Sequence, residues 1–286
     1  MSNTPGEEPE QEAEQHAKEA AQDASPWVDR FARFGYTTKG LVYVVVGALA
    51  FGVAIGVGGR TTDPPGALQE IGAQPFGRVM LGFAAIGLAA YALWRLFQAA
   101  ADPDGEGRDV SGIAARTGHM AAWLGYSVLA FTAGQLLVTS GGGASPQDWT
   151  ASILSLPFGW VLVLGVGTGV VIYGRHQLYQ AYQAQFEEHL KRGQMSKRVQ
   201  SLVTQGGRFG LAARGLVIGI AGSFLVVAAL RSDPEEATGL GGALQTLLRE
   251  PFGPWLLGVV AFGLVAYGLL MLAIARYGRI APGRAF

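Results

Sequence analysis

Six stretches of this chain are long, apolar and nearly free of charge: Gly40–Gly58, Val79–Ala101, Met120–Thr139, Phe158–Gly174, Leu211–Leu230 and Pro251–Ala275. Only Arg95 and Arg214 interrupt them. At 1.5 Å rise per residue, about 20 helical residues cross a hydrocarbon core of about 30 Å. One such segment fits the core of a soluble domain; six in succession, parted by charged loops, predict an all-α integral membrane protein. Charged residues make up 15% of the 286, against about 25% in soluble domains. The 43 glycines suit close helix packing in a membrane better than helices in water.

The basic residues set the orientation. Seventeen of the 21 Lys and Arg fall on the side of the two termini, and only Arg60, Arg78, Arg231 and Arg249 fall opposite. The positive-inside rule then puts both termini in the cytoplasm. Trp27, Trp94 and Trp123 fall near the inner interface, and Trp149, Trp160 and Trp255 near the outer one. Residues 1–24 are acidic, read as a solvated arm without fixed structure, and carry no basic signal-peptide region. The first span is then the targeting signal. Ser25-Pro26 reads as a helix start, opening a short interfacial helix with Trp27, Phe31 and Phe34 on one face.

The spans repeat in pairs. Arg33-x-Gly35, Arg116-x-Gly118 and Arg208-x-Gly210 open the odd spans. Six residues later stand Lys39-Gly40, Ala122-Trp123 and Arg214-Gly215, and ten residues later Tyr43, Tyr126 and Ile218. Each even span opens on Pro-Phe-Gly, at Pro75, Pro157 and Pro251. Twelve residues on come Gly87, Gly169 and Gly263; sixteen on come Tyr91, Tyr173 and Tyr267. Gly66-Ala67-Leu68-Gln69 and Gly242-Ala243-Leu244-Gln245 occupy equivalent outer loops, where the middle copy has Asp148-Trp149-Thr150-Ala151. So many residue types in register three times indicate triplication.

This set of motifs, over residues 27–280, resembles the bacterial membrane family known as domain of unknown function 1206, which is built from three tandem two-helix units. The resemblance implies fold and topology in a bacterial cytoplasmic membrane, and no activity. The expected organisation is an acidic arm (1–24), repeat 1 (25–107), repeat 2 with a cytoplasmic helical extension (108–195), and repeat 3 with a short basic tail (196–286). Two spans per unit make all three hairpins parallel, and three parallel hairpins most simply ring a pseudo-threefold axis.

Chemistry is sparse. No span holds Asp or Glu, which excludes carboxylate relays of the kind found in pumps. Lys39, Arg95 and Arg214 lie near the inner ends of their spans; Arg95, four residues after Tyr91, could reach a cavity, but snorkelling to headgroup phosphates is the expectation for it. Four scattered histidines and no cysteine predict no metal site and no cofactor. No nucleophile elbow occurs, so no enzyme is expected. Zero net charge gives no drive toward nucleic acid. Six residues remain as binding candidates. Arg33, Arg116 and Arg208 would meet anionic lipid headgroups or the carbonyls ending the preceding even helix. Tyr91, Tyr173 and Tyr267 share a helix face with the glycine four residues earlier, so they should face an odd span, either as packing pegs or as a collar around the axis. Residues 174–193 read as a helix continuing span four, with Leu178, Tyr182, Phe186 and Leu190 on one stripe. With the basic stretch after it, region 175–210 is a candidate dock for a cytoplasmic partner or anionic lipid. Two readings follow: a membrane organising or partner-binding component, or a passive pore for a small, weakly polar solute along the axis.

Overall fold

The Pro-Phe-Gly motif fixes how each hairpin turns. In the computed structural model, which describes residues 7–57, 61–101, 110–138, 146–184, 186–187, 190, 193 and 195–278, Phe76, Phe158 and Phe252 all adopt left-handed backbone, with φ of 63°, 60° and 61°. A non-glycine residue in this region is strained by roughly 1–2 kcal/mol, yet all three copies keep it. The following glycine explains the geometry. A Cβ on Gly77, Gly159 or Gly253 would lie 2.3, 1.9 or 1.9 Å from a carbonyl oxygen of the helix just before the turn. Glycine therefore lets a short helix end against the start of a long one, while the phenylalanine ring points outward and stays exposed.

Six long helices follow from the six apolar segments: α1 (Glu7–Ala54), α3 (Gly77–Ala101), α4 (Val110–Val138), α6 (Gly159–Gln183), α7 (Lys197–Arg231) and α9 (Gly253–Tyr277). Each is long and apolar enough to cross a membrane. The connections between the two spans of each copy differ from expectation. The stretches containing Gly-Ala-Leu-Gln form short helices, α2 (Pro64–Ala73) and α8 (Leu240–Arg249), and α5 (Pro146–Leu154) holds the same place in the middle copy. The Asp63 carboxylate accepts from Gly66 N and caps α2, with Pro64 at its first turn. Leu68 and Leu244 are then fully buried on the inner faces, which an apolar residue in an otherwise polar loop could have signalled.

Two further expectations are corrected. The helix start at Ser25-Pro26 is interior to α1, whose backbone is helical from Glu7; the stretch expected to lack structure is written in Glu, Gln, Ala and Lys, which are strong helix formers. The helix expected to run to Gly193 ends at Gln183, where Ala184 turns left-handed. The predicted stripe is thereby split. Tyr182 is exposed, whereas Leu190 is buried and pairs its backbone with Gly278 at the end of α9. Phe186 folds onto α7, so that a Cβ on Gly207 would lie 2.6 Å from its ring.

The helix packing alternates. The broadest interfaces join an even span to the odd span of another copy: α6 on α7, α1 on α9, α3 on α4. Two of them are drawn together by glycine at equivalent repeat positions. A Cβ on Gly40 would sit 2.8 Å from Gly268 O, and one on Gly215 would sit 2.8 Å from Gly174 O. Within a copy, α1 packs on α3 and α7 on α9, but α4 and α6 scarcely touch. Accordingly, 11% of the α4 span and 22% of the α6 span is buried, against 44–56% for the other four.

Candidate functional site

Three cations meet in the interior. Lys39 of α1 donates to the Tyr91 hydroxyl at 2.8 Å, and its ammonium lies 4.6, 5.1 and 5.4 Å from the ring centres of Tyr91, Tyr126 and Tyr267. Arg95 of α3 donates to the same Tyr91 oxygen through Nε at 2.8 Å and Nη2 at 2.6 Å, and reaches Gln98 Oε1 and His119 Nδ1 through Nη1. Arg214 of α7 donates from Nε to the Tyr43 hydroxyl at 3.0 Å and from Nη1 to Gln177 Oε1 at 2.5 Å. Its guanidinium stands 4.8 Å from the Tyr267 ring centre, 5.2 Å from Tyr43 and 5.8 Å from Tyr173. Lys39 and Arg214 are 4% and 6% exposed. The snorkelling expected of Arg95 is therefore corrected: it turns onto the Tyr91 phenol, as Lys39 does, and Arg214 turns onto that of Tyr43.

The cations are distributed by repeat. Lys39 and Arg214 hold the same repeat position, and each bridges an interface between copies: Lys39 across α1–α9 to Tyr267, Arg214 across α6–α7 to Gln177. The middle copy has Ala122 at that position. There the charge comes from the facing helix, since Arg95 of α3 reaches His119, three residues before Ala122 on α4. Each of the three even–odd interfaces thus holds one basic residue of this cluster. Neither Asp nor Glu occurs in residues 31–57, 77–101, 110–138, 159–183, 197–231 or 253–277 to balance them. Phenol oxygens and ring faces are the principal partners instead; a cation over a ring gains about 2 kcal/mol when desolvated, less than the several kcal/mol lost by burying an ion.

The tyrosines predicted as candidates divide two to one. Tyr91 is 0% and Tyr267 3% exposed, while Tyr173 is 42% exposed. The two buried phenols face odd spans of their own copies: a Cβ on Gly35 would lie 2.7 Å from Tyr91, and one on Gly210 would lie 2.4 Å from the Tyr267 backbone nitrogen. Their glycine partners behave likewise, Gly87 against Thr38 and Gly263 against Ala213. Ring contacts add Tyr43 on Tyr267 and Tyr126 on Tyr91, at 4.9 and 4.6 Å between centres; Ile218 replaces the corresponding tyrosine opposite Tyr173. In the middle copy, nothing lies within 4 Å of a Cβ on Gly118 or Gly169. Tyr173 meets an odd span through Arg214 of α7, 5.8 Å from its ring centre, but lacks cover from the odd span of its own copy because α4 and α6 stand apart.

The three arginines at the odd-span starts are not brought together with this cluster in one way. Arg33 forms a two-pronged pair with Asp29 and donates to Ala275 O, Arg276 O and Gly278 O, closing the C-terminal end of α9. These are carbonyls that end an even helix, as expected in kind, but the helix is the last even span and not one preceding Arg33 in the chain; a cation there also complements the helix dipole. Arg116 is half-buried. Arg208 is exposed beside Ala181, Tyr182 and Gln183 at the end of α6. Sequence reasoning missed Gln177, His119 and Gln98. The signal for Gln177 was its place one turn after Tyr173, the position that Arg95 holds after Tyr91.

The Domain of Unknown Function (DUF1206) family model matches three successive segments, residues 34–102, 117–184 and 209–278. The uncharacterized protein YxxB of Bacillus subtilis (strain 168) is 34% identical over 248 residues, covering 86% of this chain and 90% of the relative. No solved structure matches the chain.

Proposed function

The chain belongs to the DUF1206 family, and we propose that it is a non-enzymatic, multi-pass inner-membrane binding protein whose ligand is an anion held at the edge of its central cluster of cations. The observation that carries this reading is the cluster of Lys39, Arg95 and Arg214 on shared phenols, without a carboxylate in any span. Buried cations without counter-ions are costly, and an anion supplies the missing partner. Gln177 points the same way: its Oε1 accepts from Arg214, while its Nε2, in a side chain 1% exposed, is a donor without a partner.

In this reading the three hairpins run parallel about a pseudo-threefold axis, with both termini in the cytoplasm. Equivalent glycine contacts at α1–α9 and α6–α7, and one basic residue of the central cluster at each even–odd interface, support that arrangement. The passive pore is the weaker reading, because the buried rings of Tyr43, Tyr91, Tyr126 and Tyr267 fill the centre. Region 175–210 is a poorer dock than a continuous stripe would be, since Leu190 turns inward.

The test is ligand-linked stability of the purified protein in detergent micelles. Sodium phosphate or sulfate, compared with chloride at equal ionic strength, should raise Tm; saturation at 100 times Kd corresponds to about 2.7 kcal/mol. Arg214→Gln and Arg95→Gln should each abolish the rise. The absence of a rise with either oxyanion in the unaltered protein overturns the proposal.

A further inference from the structure

The geometry points to a lateral entrance between α4 and α6 through which the phosphate headgroup of an anionic membrane lipid reaches the Gln177–Arg214 end of the centre. This inference rests on the anionic centre proposed above. The repeat itself shows that the opening is particular to the middle copy. In repeats 1 and 3 the glycine-and-tyrosine face of the even helix is covered by the odd helix, Gly87 and Tyr91 by α1, Gly263 and Tyr267 by α7. The same face of α6 is Gly165, Gly169, Tyr173 and Gln177, at successive four-residue steps. A Cβ on Gly165 or Gly169 would meet nothing within 4 Å, Tyr173 is half-exposed, and the matching position on α4, Gly118, is also open. This open face ends at Tyr173, whose ring centre lies 5.8 Å from the Arg214 guanidinium; one turn further on, Gln177 is buried against Gly215 of α7, with its Oε1 on Arg214 and its Nε2 unpartnered.

The occupant follows from charge, depth and wall chemistry. Arg214, Arg95 and Gln177 offer only donors to an incoming group, which suits phosphate oxygens. Tyr173 lies 16 residues past Pro157, about 24 Å along a crossing of about 30 Å, so the site sits at headgroup depth near one interface. The wall above it on α6 is apolar and exposed at Val166 and Ile172, where the equivalent Ala84, Val260 and Ala90 of the closed copies are buried. Acyl chains can remain in the bilayer along this wall while the head turns inward.

The experiment uses the full chain in mixed micelles with phosphatidic acid, phosphatidylcholine or soluble glycerol phosphate as probes, and a phosphatidic acid carrying a photoactivatable acyl chain. Phosphatidic acid should raise Tm where phosphatidylcholine does not, and photolabelling should concentrate in 118–131 and 161–173. Gly169→Leu, which fills open space, should weaken phosphatidic acid at least ten-fold and leave the glycerol phosphate response intact. Arg214→Gln should abolish the response to both probes, with Arg95→Gln as the second variant should the first fail to fold. Labelling of α4 and α6 that ignores both arginine variants marks only the surrounding lipid and overturns the inference. A response to glycerol phosphate without one to phosphatidic acid overturns the lateral route and leaves the anionic centre standing. No response to either probe overturns both.

Discussion

Lys39→Met separates a ligand site from a structural cluster, because the two make opposite predictions for stability. Lys39 Nζ and two nitrogens of Arg95 share the Tyr91 hydroxyl at 2.6–2.8 Å. The two charges are therefore only about 5–6 Å apart, which at an effective dielectric constant of about 20 is a repulsion of about 3 kcal/mol. Lys39 and Arg214 both lie within 5.4 Å of the Tyr267 ring centre, so they are no more than about 10 Å apart and repel by at least about 1.7 kcal/mol. Methionine removes both repulsions and keeps the length of the side chain. Against this stand one charge-assisted hydrogen bond, about 1.5–3 kcal/mol, and the cation–ring contacts, about 2 kcal/mol. The balance without ligand runs from neutral to about 1 kcal/mol in favour of the variant, before the desolvation of the ammonium, which also favours methionine. Thermal unfolding in detergent micelles should show Tm unchanged or raised by about 2–4 °C, while phosphate affinity falls at least ten-fold. A variant destabilised by more than about 2 kcal/mol, with its phosphate response retained, would show that Lys39 is held for structure and would refute the reasoning.

Other substitutions probe the frame around this centre. Gly210→Ala places a Cβ 2.4 Å from the Tyr267 backbone and should cost about 1–3 kcal/mol in the same unfolding assay, whereas Gly118→Ala, which meets nothing, should be neutral or up to about 1 kcal/mol stabilising. Equal effects at the two sites would mean that α4 and α6 pack like the other hairpins. Arg33→Gln removes the group that closes α9 and should destabilise by about 1–2 kcal/mol, with earlier hydrogen exchange at residues 274–278. Topology is checked by impermeant maleimide on intact cells, helped by the absence of native cysteine: Thr62→Cys or Gly142→Cys should label and Gln194→Cys should not, and labelling of the last reverses the orientation.

The spans, the triplication and the Pro-Phe-Gly turns were all legible in the sequence because each is encoded locally. A helix long enough to cross a bilayer needs a run of apolar residues in one stretch of chain, and three copies in register announce the repeat however they pack. The glycine–tyrosine face was legible for the same reason, since four residues make one helical turn. The chain also declared the shortage of carboxylates, but not that three cations would converge. By sequence Ala122 is a break in the pattern, and Arg95, aligned with Gln177 and Met271, is an unrelated extra charge. Only packing pairs α3 with α4 and sets Arg95 beside His119, so that a charge missing from one helix is supplied by the one facing it. The opening between α4 and α6 is likewise written in no motif, since Gly118, Gly169 and Tyr173 carry the pattern of a closed pair. Periodicity states which face of a helix wants a partner; whether another helix takes that place depends on how six helices share space around one centre.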